Sequence, residues 1–252
     1  MIDIDLSGKT ALVTGASQGL GEATARLLHR AGANVALNYV AFVNNREHAN
    51  RIAAELGDRA IAVEADVRLS DRIAAMCDHI VTRFGGLDIL VNNAGIIRDR
   101  SARKMSPEEW QEVIDTNLTG VFNVSRIASA LMRDNGRIVN LSSISAFVGF
   151  FGQANYAASK GGVVAFTKVL SRELAKRQIT VNAVSPGVIL TDMGKSIPED
   201  IRAAMLPNIP LGRFGQADDI AYAILFSSAA IWLPTSPDKL SMSTAAGGGE
   251  RP

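Results

Sequence analysis

Thr10-Ala11-Leu12-Val13-Thr14 runs without a break into Gly15-Ala16-Ser17-Gln18-Gly19-Leu20-Gly21, and a helix-like segment from Gln18 to Ala31 follows, closed by Gly32. The first run is apolar nearly throughout, as a strand covered on both faces is. Glycines let the backbone turn sharply where a strand passes into a helix and let it approach a ligand closely. The N-terminus of the helix then offers unpaired N–H groups and a partial positive charge, which suit a pyrophosphate. The spacing is G-x-x-x-G-x-G rather than G-x-G-x-x-G. Taken alone, it is compatible with tight-turn packing.

Working outward, the same alternation repeats. Asn34–Leu37, Ala60–Ala65, Ile89–Val91, Arg137–Leu141 and Thr180–Val184 read as further strands. Arg46–Leu56 and Asp71–Phe84 read as helices ended by Gly57 and Gly85, and Tyr156–Arg177 as a long helix. Ser106-Pro107-Glu108-Glu109 is a capping box with proline at the first helical position. Strands alternating with helices predict an α/β fold, a Rossmann-type doubly wound parallel sheet with helices on both faces. No repeat or linker interrupts residues 1–230, which are read as one dinucleotide-binding and catalytic domain; residues 231–252 form an atypical tail.

Composition narrows the function classes. The 252 residues are 47% hydrophobic and 20% charged, with a formal net charge of +1, an ordinary globular balance. No charge excess points to nucleic acid or an anionic membrane as partner. Cys77 is the only cysteine, and His29, His48 and His79 lack metal-ligand spacing, so neither a disulfide nor a metal site is expected. The acidic start Met1-Ile2-Asp3-Ile4-Asp5 is unlike a signal peptide, and Ile220–Leu233 is too short to span a bilayer. A cytoplasmic protein is the expectation.

Seven motifs stand in order: Thr14-Gly-x-x-x-Gly-x-Gly21, Asp66-Val67, Asn92-Asn93-Ala94-Gly95, Asn117, Ser143, Tyr156-x-x-x-Lys160 and Pro186-Gly187. On these the chain, from residue 6 to about 228, resembles the short-chain dehydrogenase/reductase family. It is most similar to the 3-oxoacyl-[acyl-carrier-protein] reductases through Gly152-Gln-Ala-Asn-Tyr156-Ala-Ala-Ser-Lys160 and Pro186-Gly-Val-Ile-Leu-Thr-Asp-Met193. Each motif is modest alone and specific in this register.

The chemistry needs a proton donor beside a carbonyl or alcohol oxygen while hydride moves to or from a nicotinamide. A free tyrosine has a pKa of about 10. Lys160, one helical turn from Tyr156, is expected to bring its ammonium to the phenol and favour phenolate. The resemblance implies that Ser143 orients the substrate oxygen, in preference to Ser142 or Ser145, and that Asn117 holds a water and the lysine in a proton relay. Such acid–base help is worth about 10²–10⁴-fold.

For the cofactor, the resemblance implies contacts from Gly15, Ser17, Gln18, Gly19, Leu20 and Gly21. It adds Asp66 and Val67 at the adenine and Asn92, Ala94 and Gly95 toward the adenosine ribose and nicotinamide side. Tyr156 and Lys160 join them, with Pro186, Gly187, Ile189 and Thr191 at the nicotinamide amide. An acid roughly 20 residues past the glycines would mark an NAD site. None stands between Glu22 and Glu47. NADP(H) is therefore favoured over NAD(H), with Asn38 and Tyr39 as candidates to line the 2′-phosphate position. Gln18 stands where many NADP-using relatives carry arginine, and Arg46 is the nearest later basic residue.

The expected function is reduction of a carbonyl, a 3-oxoacyl thioester in particular. The alternatives are an NAD(H)-dependent dehydrogenase of a secondary alcohol or sugar, and a nucleotide-binding protein without turnover. Thr191–Gly215 is implied to be a mobile substrate lid. An acyl carrier protein is a candidate partner through Arg177, although the second basic position is replaced by Asp134 or Asn135. The resemblance also implies a homodimer or homotetramer paired through residues 107–133 and 156–177.

The tail departs from the family. Members end with Tyr-Ile-Thr-Gly-Gln and then Val-Asp-Gly-Gly. This chain has Ile231-Trp-Leu-Pro-Thr-Ser-Pro-Asp-Lys239, whose prolines make a poor central strand. Codons for Ile231–Lys239, read one base earlier, can encode Asp-Leu-Ala-Ser-Tyr-Ile-Thr-Gly-Gln. Residues 240–246 continue in that frame as Val-Ile-Asn-Val-Asp-Gly-Gly. A reading-frame shift between about Phe226 and Ile231 is the explanation this suggests.

Overall fold

The computed structural model describes residues 4–42, 44–191, 194, 197–229 and 241–243. Met193 and most of the atypical tail lie outside the described residues. The strands are β1 (Thr10–Val13), β2 (Asn34–Tyr39), β3 (Ala60–Glu64), β4 (Leu87–Asn92), β5 (Met132–Leu141), β6 (Thr180–Ser185) and β7 (Ser241–Ser243). They form one sheet in the order β3-β2-β1-β4-β5-β6-β7, every neighbouring pair parallel. This is the doubly wound topology read from the alternation. The short β7 pairs with β6 from Ala183↔Ser241 to Ser185↔Ser243, so the sheet acquires an edge strand beyond the proline-bearing segment.

Helices α1 (Gly19–Arg30), α2 (Asn45–Leu56), α3 (Ser70–Phe84), α4 (Pro107–Ile114), α5 (Gly120–Leu131), α6 (Ser145–Val148), α7 (Ala154–Glu173), α8 (Glu199–Met205) and α9 (Ala217–Ser228) connect and cover the strands. Successive side chains of a strand point to opposite faces. Ala11 and Val13 of β1 accordingly pack in one layer with Leu28 of α1 and Ile224 of α9. Leu12 packs in the other with Ile73 and Ile80 of α3 and Val124 of α5. Cys77 lies in this second layer, where burial pushes its thiol up to about 12, so it carries no thiolate chemistry.

Local signals acted as read. Ser106 accepts from Glu109 N–H at 3.2 Å and Glu109 accepts from Ser106 N–H at 3.0 Å, which starts α4. Gly57 and Gly85 end α2 and α3 with φ of 77° and 78°. Several boundaries differ, among them that β2 runs on to Tyr39 and β4 spans Leu87–Asn92. The long helix starts at Ala154, after Gly152 turns the chain at φ 87°, and ends in a separate 3-10 turn at Ala175–Arg177. β5 begins at Met132, with its register to β4 broken between Leu87 and Ile89. Between α4 and α5 the chain widens into a π turn, Asp115–Thr119, with Asn117 at its centre.

The strand order reverses direction between β1 and β4. In open α/β sheets a crevice forms there, beyond the carboxyl ends of the strands. Thr14–Gly21 and Asn93–Gly95 both leave the sheet at this point.

Candidate active site

The two loops at the switch point are knitted together. Thr14 Oγ1 accepts from Asn93 N–H at 2.9 Å and Ala94 N–H at 3.0 Å. Asn93 Nδ2 donates to Thr14 O at 2.9 Å and Gly15 O at 3.0 Å. Gly15 takes φ 62°, and a Cβ there would stand 2.9 Å from Ala94 Cα. A Cβ on Gly21 would stand 2.2 Å from Gly15 O. The glycines are thus required by close backbone approach, which makes a cradle in front of α1 that fits a dinucleotide pyrophosphate. Across it, Thr191 lies near Gly19, whose added Cβ would be 3.5 Å from the threonine methyl. Ser17 is buried and donates to Asn45 Oδ1 at 3.2 Å, while Gln18 is exposed at the helix start and makes no cap.

Two of the expected cofactor contacts face elsewhere. Asn38 accepts from Gly15 N–H at 3.3 Å and donates to Ala65 O at 2.9 Å. Its amide supports the glycine loop from below instead of lining the 2′-phosphate position, because backbone groups of two strand ends claim it. Asn92 is likewise turned inward. Its Nδ2 donates to Ser125 Oγ at 2.9 Å and Asn140 Oδ1 at 2.8 Å, and Asn140 Nδ2 donates on to Thr167 at 2.9 Å. This network ties β4, β5, α5 and α7 together inside the fold.

From the first turn of α2, Arg46 reaches the hydroxyl of Tyr39 at the end of β2. Arg46 pairs with Glu64 at 2.6 Å, and its guanidinium is held above its ordinary pKa by Glu64 and the Tyr39 hydroxyl. Asp66 is clamped by Arg68 through contacts of 2.6–3.0 Å, which hold its carboxyl below the usual range. Val67 packs on Gly120, where an added Cβ would meet its methyl at 2.8 Å.

The chemical end of the crevice lies beyond β5. Ser143 follows the strand and Tyr156 and Lys160 project from α7. Ser143 lies near enough to the Tyr156 phenol for its hydroxyl to favour the ionised form. Lys160 Nζ is 5.6 Å from the centre of the Tyr156 ring. A Cβ on Gly95 would lie 3.2 Å from Asn117 Oδ1 and 3.7 Å from Lys160 Nζ, so these two groups converge over one point of the backbone. Asn117 is held there by both backbone groups of Ile96, accepting at 2.8 Å and donating at 2.9 Å. The π turn is what aims it. Ser142 is spent on Lys160 O at 2.9 Å and Ser145 on Gln153 at 2.9 Å, which leaves Ser143 as the serine at the phenol.

The expected lowering of the phenol by the lysine is corrected. Burial raises the Tyr156 pKa above its ordinary value, the nearby Ser143 hydroxyl offsets this in part, and the Asp99 charge adds to the rise. Lys160 does not offset that rise, because its ammonium is turned to Leu141 O at 2.6 Å and is itself buried. Burial lowers Lys160 to about 8. Arg177 is also committed, to Asp134 at 2.9 Å and to the carbonyls of Ser129 and Met132. It braces the end of α7 against β5, which weakens its candidacy as a free docking residue.

The stretch after β6 leaves and returns at one place. Leu190 N–H donates to Gly215 O at 3.0 Å and Gly215 N–H to Val188 O at 3.1 Å. Pro186 O accepts from Ile144 N–H at 2.9 Å, tying this loop to the one that carries Ser143. The stretch read as a lid therefore hangs from a closed neck and carries α8.

A crevice with a pyrophosphate cradle at one end and a half-buried tyrosine at the other places the chain among the dinucleotide-dependent oxidoreductases. Comparison with known proteins narrows the class. Residues 15–229 match the family described as enoyl-(acyl carrier protein) reductase. The chain belongs to the short-chain dehydrogenase/reductase family and is an oxidoreductase. It is 47% identical over 223 residues to 3-oxoacyl-[acyl-carrier-protein] reductase FabG of Staphylococcus aureus, covering 86% of this chain and 89% of the relative. It is 43% identical over 225 residues to the protein of the same name from Vibrio cholerae, covering 88% and 91%. A short-chain dehydrogenase from Burkholderia cenocepacia, solved in complex with NADP, superposes with a TM-score of 0.83 at 36% identity, covering 89% of this chain and 91% of that one. Among the described residues no helix is long and apolar enough to cross a membrane.

Proposed function

We propose that this protein reduces the keto group of a 3-oxoacyl thioester with NADPH. The observation that carries the reading is the convergence of Tyr156, Ser143, Lys160 and Asn117 beside the glycine cradle. When bound, the nicotinamide supplies hydride to the keto carbon. Tyr156, kept protonated by burial, gives its phenolic proton to the developing alkoxide. Ser143 holds that oxygen by a hydrogen bond. Lys160, whose lowered pKa makes proton exchange easy near neutrality, returns a proton to the phenol with Asn117 as its neighbour.

The preference for NADP(H) is supported by the absence of a carboxylate at the end of β2 and by Arg46 beside Tyr39. One observation favours NAD(H) instead: Glu64 neutralises that arginine at 2.6 Å. Residues 1–230 act as one domain in this reading. The enzyme works in the cytoplasm on an acyl group delivered by a carrier protein and assembles as a homodimer or homotetramer. The test is oxidation of NADPH and of NADH with a short 3-oxoacyl thioester, run side by side. Faster turnover with NADPH is expected; nucleotide binding without turnover of the thioester would remove this substrate class.

A further inference from the structure

The hydroxyl beside Tyr156 continues into a hydrogen-bonded line that the proposed chemistry does not use. Ser143 Oγ is 3.2 Å from Ser145 Oγ and accepts from Ser145 N–H at 3.1 Å. Ser145 Oγ contacts Gln153 Oε1 at 2.9 Å, and Gln153 Nε2 donates to Asp99 Oδ2 at 3.0 Å. The line runs from the exposed Asp99, on the loop after β4, through Gln153, the residue just before α7, to the buried Ser145 and Ser143.

Its direction follows from the chemistry of its ends. A carboxylate only accepts, so Gln153 must turn its NH₂ to Asp99 and its carbonyl to Ser145. Ser145 has one proton, and that proton is committed to Gln153. In the Ser143–Ser145 contact only Ser143 can then donate. With its proton on Ser145, Ser143 presents only lone pairs to the rest of the crevice. For Ser143 to donate to a phenolate or a substrate oxygen, it must first release the weak 3.2 Å contact.

We infer that Asp99 and Gln153 are positioning residues for the reaction: through Ser145 they set the hydroxyl direction of Ser143 beside Tyr156. This rests on the reading of Tyr156 and Ser143 given above. Charge supports the geometry, since Asp99 raises the Tyr156 pKa. The charges around the pair are accounted for. Lys160, on the same helix as Tyr156, is turned to Leu141. On the Asp99 loop, Arg98 is taken by Glu112 and Arg100 by Glu109, both of α4, so neither cancels Asp99. The strand-end loop and α6 contribute only Ser143 and Ser145 to the line.

The experiment compares Asp99→Asn and Gln153→Leu with the wild type, with Tyr156→Phe as the blank. Tyr156 is titrated through the ultraviolet absorbance of its phenolate in the protein without nucleotide. Nucleotide affinity and the pH dependence of thioester reduction are measured beside it. In Asp99→Asn the shape remains but the charge and the forced amide direction are lost. Its Tyr156 midpoint should fall by about half a pH unit or more, a threefold change in acid constant, and the alkaline limb of reduction should move down with it. In Gln153→Leu kcat should fall roughly tenfold while nucleotide affinity stays within about twofold. An unmoved midpoint in Asp99→Asn overturns the inference, as does wild-type kcat in a folded Gln153→Leu. If the leucine variant does not fold, the Asp99→Asn titration decides alone. Undiminished turnover by Tyr156→Phe would remove the reading of Tyr156 itself and this inference with it.

Discussion

Lys160 Nζ donates to the carbonyl oxygen of Leu141 at 2.6 Å, and the lysine is 4% exposed. A buried ammonium with this partner keeps a lowered pKa, about 8 against the ordinary 10.5. The difference corresponds to a cost of roughly 3 kcal/mol in the folded state at neutral pH. Lys160→Met removes that charge but leaves Leu141 O without its donor, a loss of about 1–3 kcal/mol. The variant should therefore be as stable as wild type or modestly more so at pH 7. Because the folded pKa is the lower one, the unfolded chain holds the extra proton between about 8 and 10.5. Wild-type stability relative to the variant should rise through that window, with the full cost present below it. Tm measured at pH 7 and pH 9.5 checks this; a gap that moves against the wild type as pH rises would contradict the burial account.

Tyr156→Phe keeps the ring on α7 and removes the proton donor. Turnover should fall by at least about 10²-fold, with nucleotide affinity held within about twofold. Single-turnover reduction and a nucleotide titration separate the two quantities. Loss of both together would assign Tyr156 to binding instead.

Asn93 holds the glycine loop by donating to Thr14 O and Gly15 O. Asn93→Ala leaves two carbonyls short of a partner, at about 1–3 kcal/mol each if water does not reach them. Asn93→Asp is the sharper change, since a carboxylate set against two carbonyls can only repel. Thermal melting and nucleotide binding should both rank wild type above Ala and Ala above Asp. The reverse order of the two variants would show that hydrogen-bond donation is not what this side chain supplies.

Arg46 of α2 and Glu64 at the end of β3 offer a selectivity pair. Glu64→Gln frees the guanidinium for a 2′-phosphate and should raise the NADPH-over-NADH preference by roughly two- to fivefold, the range of an exposed pair. Arg46→Gln should lower it by a similar factor. Steady-state kcat/KM ratios with both cofactors read this out, and equal ratios in all three proteins would place the 2′-phosphate site elsewhere.

The tail is tested by intact mass. Expression from the native gene should yield the mass of the family-like ending in place of Ile231–Lys239 and the residues after it, if the shift lies in the reading of the gene. The mass of the printed chain would establish this tail as real.

The alternation of strands and helices, the glycine loop and the capping box at Ser106 were legible without coordinates because each depends on residues close together in the chain. An apolar run of strand length, glycines at a strand–helix turn, and serine three residues before glutamate carry their physics locally. The Tyr156–Lys160 spacing was legible for the same reason, being one turn of helix. Partner choice was not. Asn38 and Asn92 are amides that hydrogen-bond whatever the fold brings to them, and the strand ends claimed both. Gln153 lay in a quoted motif, but its link to Asp99 joins residues 54 positions apart.

Sequence thus determined the class of fold, the glycine loop after its first strand and the residue types available for proton transfer, because periodicity and turn chemistry are short-range. Tertiary structure decided which way those groups face: Lys160 toward Leu141, Asn117 through a π turn toward Gly95, and Arg46 toward Tyr39 and Glu64. Orientation and pKa are set by burial and by partners from distant strands, and those exist only once the sheet has closed around them.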